Sequence, residues 1–109
     1  MNDTICALAT PAGGAIGIIR VSGDKAIRIT DVLFKAKNKK QLSDAKGNTL
    51  HYGEFCDAKQ QPIDEVVVSV YKAPHSYTGE DSTEISCHGS AYILKRVIQA
   101  LIDKGCRSA

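Results

Sequence analysis

The chain opens on a short apolar run at residues 4–10 that reads as a strand, and Pro11-Ala12-Gly13-Gly14 breaks it with turn chemistry. Residues 15–21 are β-branched and almost continuously apolar, which predicts a second strand. Gly17 argues against a helix interior there. Ser22-Gly23-Asp24 is a helix-start signal, and Ile29, Val32, Leu33 and Ala36 follow the i, i+3, i+4, i+7 rule, so the spacing predicts an amphipathic helix over residues 24–36. Residues 37–47 read as a polar loop. Residues 49–56 alternate weakly, as a strand, before a turn at residues 57–62. Residues 63–71 hold Val66, Val67, Val68 and Val70 and form the strongest strand, whose continuous apolarity predicts cover on both faces. A polar loop at residues 73–81 and a short strand at residues 83–88 follow. Ser90 then fits the N-cap of a helix over residues 91–104, with Leu94, Val97, Ile98 and Leu101 as its buried stripe and Gly105 past its end.

The order is therefore ββαβββα, without strict β–α alternation. It predicts an α+β fold: a mixed or antiparallel sheet of about five strands with two or three helices. A length of 109 residues, 43% hydrophobic, suits one domain and excludes a disordered tail. No run approaches the ~18 apolar residues of a membrane span, and the first residues lack the basic and apolar regions of a signal peptide. A cytoplasmic location is expected. No phosphate-binding loop of the Gly-x-x-x-x-Gly-Lys-Ser/Thr type occurs.

The net charge of +2 is small for a dedicated nucleic-acid binder, but it conceals an asymmetry. Residues 23–46 hold seven basic side chains against three aspartates, and residues 54–84 hold seven acids against two lysines. The basic group, centred on Lys35, Lys37, Lys39 and Lys40, reads as a solvated helix end or as a surface that touches RNA. Four cysteines, at positions 6, 56, 87 and 106, have neither zinc-ligand nor redox spacing and read as reduced thiols.

Arg20 and Glu84 are charges where strands should be apolar. Alternation puts Arg20 on one face with Ile16 and Ile18, and Glu84 on one face with Ser86 and His88. They are either surface charges or an internal salt bridge, or they belong to a ligand pocket. A carboxylate accepts two parallel hydrogen bonds from a flat N–H/NH₂ edge such as a pterin or guanine presents, and a guanidinium binds a carbonyl or carboxylate. The glycines at 13, 14 and 17 precede a strand rather than a helix, so they read as a tight turn and a small packing residue. Ser90 after His88-Gly89 reads as a cap. A Ser/His/Asp arrangement of Ser76 or Ser86 with His75 or His88 lacks the nucleophile-elbow context.

Two long stretches carry a family resemblance: residues 3–23 (Asp-Thr-Ile-Cys-Ala-Leu-Ala-Thr-Pro-Ala-Gly-Gly-Ala-Ile-Gly-Ile-Ile-Arg-Val-Ser-Gly), and residues 73–81 (Ala-Pro-His-Ser-Tyr-Thr-Gly-Glu-Asp) followed by Glu84 and Cys87-His88-Gly89. Together they resemble the N-terminal part of the tRNA modification GTPases of the MnmE (TrmE) family, over essentially the whole chain. The resemblance implies a fold similar to the folate-binding domains of glycine-cleavage T-proteins. It implies that residues 1–109 form a single N-terminal domain that binds a one-carbon tetrahydrofolate such as 5-formyl-tetrahydrofolate and forms a homodimer. Arg20 and Glu84 match its folate-contacting positions. It further implies a helical domain and a G domain, absent from this sequence, which supply GTP, Mg²⁺ and K⁺ binding; the fragment alone should have no GTPase activity. With the FAD-dependent partner MnmG (GidA), the complete enzyme modifies C5 of the tRNA wobble uridine. The alternatives are a purely structural dimerisation module and a tRNA-contacting platform.

Overall fold

A computed structural model describes residues 3–11, 13–74, 76 and 79–109. Ala12 of the first turn and His75, Tyr77 and Thr78 of the 73–81 loop lie outside the described residues. The strands are β1 (Ile5–Leu8), β2 (Ile16–Ser22), β3 (Phe34–Ala36), β4 (Thr49–Cys56), β5 (Pro62–Tyr71), β6 (Ser82–His88) and β7 (Arg107–Ser108). The helices are α1 (Ala26–Leu33) and α2 (Ala91–Asp103), with a 3-10 turn at Leu42–Asp44. One sheet runs in the order β3-β4-β5-β6-β2-β1-β7. Its neighbours are antiparallel except the parallel pair β1 and β7. The α+β class and mixed sheet are as expected, but the strands number seven among the described residues rather than about five.

The two extra strands are short. β7 is a two-residue addition to β1, too short for any periodicity to show. β3 was hidden inside the expected 24–36 helix. That helix ends at Leu33, because Phe34 turns extended (φ −108°, ψ 132°) and pairs with Phe55 of β4. A glycine permits the approach: a Cβ on Gly53 would lie 2.2 Å from the carbonyl oxygen of Lys35. Ala36 is thus a strand residue. Val32 is 49% exposed, and the stripe that α1 buries is Ala26, Ile29, Thr30 and Leu33. Thr30 was passed over because it is polar. Its hydroxyl donates to the Ala26 carbonyl and shares a 2.8 Å hydrogen bond with Thr83 on β6, so its burial leaves no polar atom unpaired. The helix begins two residues later than Asp24, and Thr4 caps it from outside: its Oγ1 accepts from the Lys25 N–H at 3.1 Å.

Helix α2 follows the predicted pattern closely. The Ser90 side chain accepts from the Ile93 N–H, and Leu94, Val97, Ala100 and Leu101 are buried; Ile98 sits at the rim of the core. Both helices cover the same face of the sheet. Against them lie Cys6, Ile19, Val21, Phe55, Val66, Val68, Val70, Ile85 and Cys87. Gly17 supplies the expected close packing, since a Cβ there would meet the Leu94 side chain at 2.6 Å.

Strand β5 departs from expectation. Val66, Val68 and Val70 enter the core, but Val67 is only partly buried, and among the described residues no element covers the second face. Val67 reads as core because strand neighbours on both sides shield it without a second layer. All four cysteines are free and buried. Burial pushes the Cys87 thiol from the ordinary 9.0 up to about 11. A hydrogen bond between Cys6 and Cys106 pulls the first thiol down and pushes the second up.

Two predictions follow from this packing. Leu33→Ala should cost about 2–5 kcal/mol in urea unfolding, whereas Val32→Ala should stay within about 0.5 kcal/mol; the reverse order would return α1 to the face first expected. Because the Cys87 thiol ionises at lower pH in the unfolded chain than in the folded one, the stability from a neutral Cys87 is fully present below pH 9 and lost as pH rises through about 11. Unfolding free energy should fall over that window by up to about 3 kcal/mol, and Cys87→Ala should flatten the fall.

Candidate functional site

The pairing of β2 with β6 sets Arg20 directly across from Glu84. Arg20 Nε and Nη2 donate to Glu84 Oε2 at 3.0 and 2.8 Å. Both bonds end on one carboxylate oxygen; among the described residues Oε1 receives none. The side chains are 34% and 22% exposed, so the pair is half-buried and reachable. They form the internal salt bridge that the sequence allowed, and they also lie on the open face, away from the helices. Beside them a groove of about 300 Å³ runs between Ile5, Ala7, Ala9, Arg20, Ser22 and Glu80. β1 therefore forms one wall, and Arg20, Ser22 and Glu80 form its polar side. Such an arrangement, apolar wall beside a few convergent polar groups, is what a small-molecule site requires.

The predicted row Glu84, Ser86, His88 does occupy one face of β6. At two residues per ~6.6 Å, it extends about 13 Å along the strand. Its far end holds a pair that the sequence did not reveal. His88 Nδ1 lies 2.8 and 3.0 Å from the two oxygens of Asp64, and the His88 backbone N–H donates to the same carboxylate at 2.8 Å. Asp64 is 9% exposed while the imidazole is 71% exposed. An ionised carboxylate only accepts, so Nδ1 carries the proton and Nε2 is directed to the outside. The signal that could have found it is an aspartate at the start of a valine-rich strand, where a small apolar residue is expected. Register across β5 and β6 joins the two, and no sequence spacing carries that register.

A second hollow, of about 200 Å³, lies next to this pair among Ile16, Tyr52, Glu65, Val67, Ser86 and His88. Tyr52 donates its hydroxyl proton to Glu65 at 2.5 Å, and that bond raises the phenol above its usual range. Among the described residues Ser86 makes no hydrogen bond to His88, and Ser76 Oγ donates to the Glu80 carbonyl, so no Ser/His/Asp triad is assembled there. The same residues contain no group of three or more His, Cys, Asp or Glu able to hold a metal ion. Cys87 points into the core, on the opposite face from His88, and its thiol donates to the Gly17 carbonyl.

The chain as a whole has counterparts among known proteins. The profile of a family described as GTP-binding protein TrmE N-terminus matches residues 4–109. The chain belongs to this family. It is 60% identical over 109 residues to the tRNA modification GTPase MnmE of Bacteroides fragilis, covering 99% of this chain and 23% of that protein. The MnmE of Christiangramia forsetii is 58% identical over 110 residues (100% and 23%), and that of Flavobacterium johnsoniae 54% over 109 residues (99% and 23%). The chain thus spans about a quarter of the length of the curated relatives it matches. No helix of the described residues is long and apolar enough to cross a membrane.

The Asp64–His88 geometry makes a direct prediction. In ¹⁵N NMR of the neutral imidazole, His88 should show Nδ1 protonated and Nε2 bare, and Asp64→Asn should shift the tautomer balance. An Nε2–H signal in the unsubstituted protein would contradict the arrangement.

Proposed function

We propose that residues 1–109 act as the tetrahydrofolate-binding and dimerisation domain of a tRNA-modifying GTPase. The observation that carries this reading is the Arg20–Glu84 pair on the open sheet face, inside the stretches that match the family. Glu84 would accept hydrogen bonds from the flat N–H edge of a pterin, with Oε1 already disengaged from Arg20. Arg20 would hold a carbonyl or carboxylate of the same ligand. The groove beside β1 would take the ring face. A 5-formyl-tetrahydrofolate-like ligand fits this donor set.

The homodimer reading is supported by the same face. Ile16, Leu50 and Tyr52 are large, exposed and carried on β2 and β4. An uncovered sheet face with such side chains suits contact with a second copy. In the whole protein we assign GTP, Mg²⁺ and K⁺ to a G domain beyond this sequence, and MnmG and tRNA to the assembled cytoplasmic enzyme.

Isothermal titration with 5-formyl-tetrahydrofolate tests the reading. Glu84→Gln should weaken binding by about tenfold or more, as expected when a charge-assisted hydrogen bond worth about 1.5–3 kcal/mol is lost. Equal affinity of two folded proteins would sink the assignment. A dimer in sedimentation that ignores the ligand, with no measurable binding, would instead favour the purely structural module.

A further inference from the structure

The lysine-rich segment after α1 takes no part in the folate reading, and the structure makes it more than a solvated helix end. It wraps a groove of about 490 Å³, lined by Asp31, Val32, Phe34, Lys35, Lys39 and Lys40. The segment is pinned along its length. Lys35 lies in β3, which is hydrogen-bonded to β4. Lys39 adopts a left-handed turn (φ 62°), with its N–H donating to the Ala36 carbonyl at 3.0 Å. The Lys40 N–H donates to Asn38 Oδ1 at 2.9 Å. Two residues later Leu42 is fully buried and anchors the chain in the core.

Among the described residues, the one carboxylate lining the groove is already engaged. Asp31 Oδ1 accepts from the Leu42 N–H at 2.8 Å, and Oδ2 accepts from the Ser43 hydroxyl at 2.8 Å. Glu54 stands opposite Lys35 in the β3–β4 register but forms no ion pair with it. Lys35, Lys39 and Lys40 are all exposed. Three cations are thus held on an ordered edge of the sheet, around a concave surface, with the local acid committed to the fold.

We propose that this groove binds the sugar–phosphate backbone of RNA. Lysines act as compact point charges suited to phosphate oxygens. The groove's charge is carried by lysines, so contact here positions an RNA chiefly through its phosphates, with the Gln41 amide the one donor–acceptor fork among the described lining residues. Its place fits that role. β3 is the sheet edge four strand steps from β2, about 19 Å from Arg20. An RNA held there leaves the ion pair and its groove open. The choice of tRNA as the polyanion rests on the function proposed above; the groove's charge does not.

The test is fluorescence anisotropy of labelled tRNA with this chain, over about 50–200 mM salt. The triple variant Lys35→Gln/Lys39→Gln/Lys40→Gln should bind at least about tenfold more weakly at the low end, and its log–log salt slope should shrink by about two to three. The control Lys95→Gln/Lys104→Gln, on and just after α2, should leave both unchanged. Matching thermal melts would confirm that all three proteins are folded. Absence of tRNA binding by the unsubstituted chain at low salt, or an equal loss in the control, would overturn the proposal. Equal competition by polyglutamate would also overturn it, in favour of an acidic protein partner. Titration of the triple variant with 5-formyl-tetrahydrofolate separates the two readings: a normal folate response with lost RNA binding supports the groove alone.

Discussion

Seven residues of β2 lie antiparallel to seven of β6, from Ile16 opposite His88 to Ser22 opposite Ser82. That register decides which side chains share a face and which meet. Slipping β2 by one residue would send Ile19 and Val21 to solvent and drive Arg20 under the helices, and slipping β6 would do the same with Ile85 and Glu84. The cost of burying one of these charges without its partner beneath α1 and α2 therefore opposes a one-residue slip of either strand. The salt bridge itself contributes modestly, because both side chains retain water. Its larger effect is to make the correct register the only one that satisfies both charges.

The same register divides the sheet into a dry face and an open one. Valines 66, 68 and 70, Ile85 and Val97 close the dry side. The open side keeps Arg20, Glu84, Ser86 and His88 in a polar row bordered by Ile16 and Val67. Two grooves flank this row, one beside β1 and one beside β4 and β5. A ligand lying along the row meets a carboxylate–guanidinium pair at one end and an aspartate-held imidazole at the other.

Charge is sorted in a comparable way. The basic residues of the groove collect at the β3 edge, where its lining Asp31 carboxylate is used as a loop cap. The acids collect on β4, β5 and the turns beside them, where Asp57 illustrates their use. Its carboxyl is held below the usual range chiefly by the backbone N–H of Gln61, with those of Lys59 and the Arg96 side chain assisting. Asp57 organises backbone, whereas among the described residues no lysine ammonium makes a hydrogen bond or ion pair, and Lys37 Nζ lies 5.9 Å from the centre of the Tyr52 ring. A net charge near neutrality thus hides two surfaces of different character.

Much of this was legible from the residues. Strands β2, β4, β5 and β6 and helix α2 announced themselves by β-branched runs, a serine cap and a 3.6-residue stripe, all of which are local and repeat often enough to be counted. Arg20 and Glu84 stood out because each breaks an apolar strand, and alternation alone placed each on its own face. Three things were not legible. The end of α1 depends on Phe34 finding Phe55, and its cap comes from Thr4, far away in the chain. Thr30 reads as polar until Thr83 is opposite it. Asp64 and His88 are 24 residues apart and meet only through the β5–β6 pairing. Local pattern determines which residues want to be strand, helix, buried or charged, since those preferences act within a few residues. Which charge meets which, and which face stays open, was decided by long-range registry, where free energy is gained only when distant segments pack together.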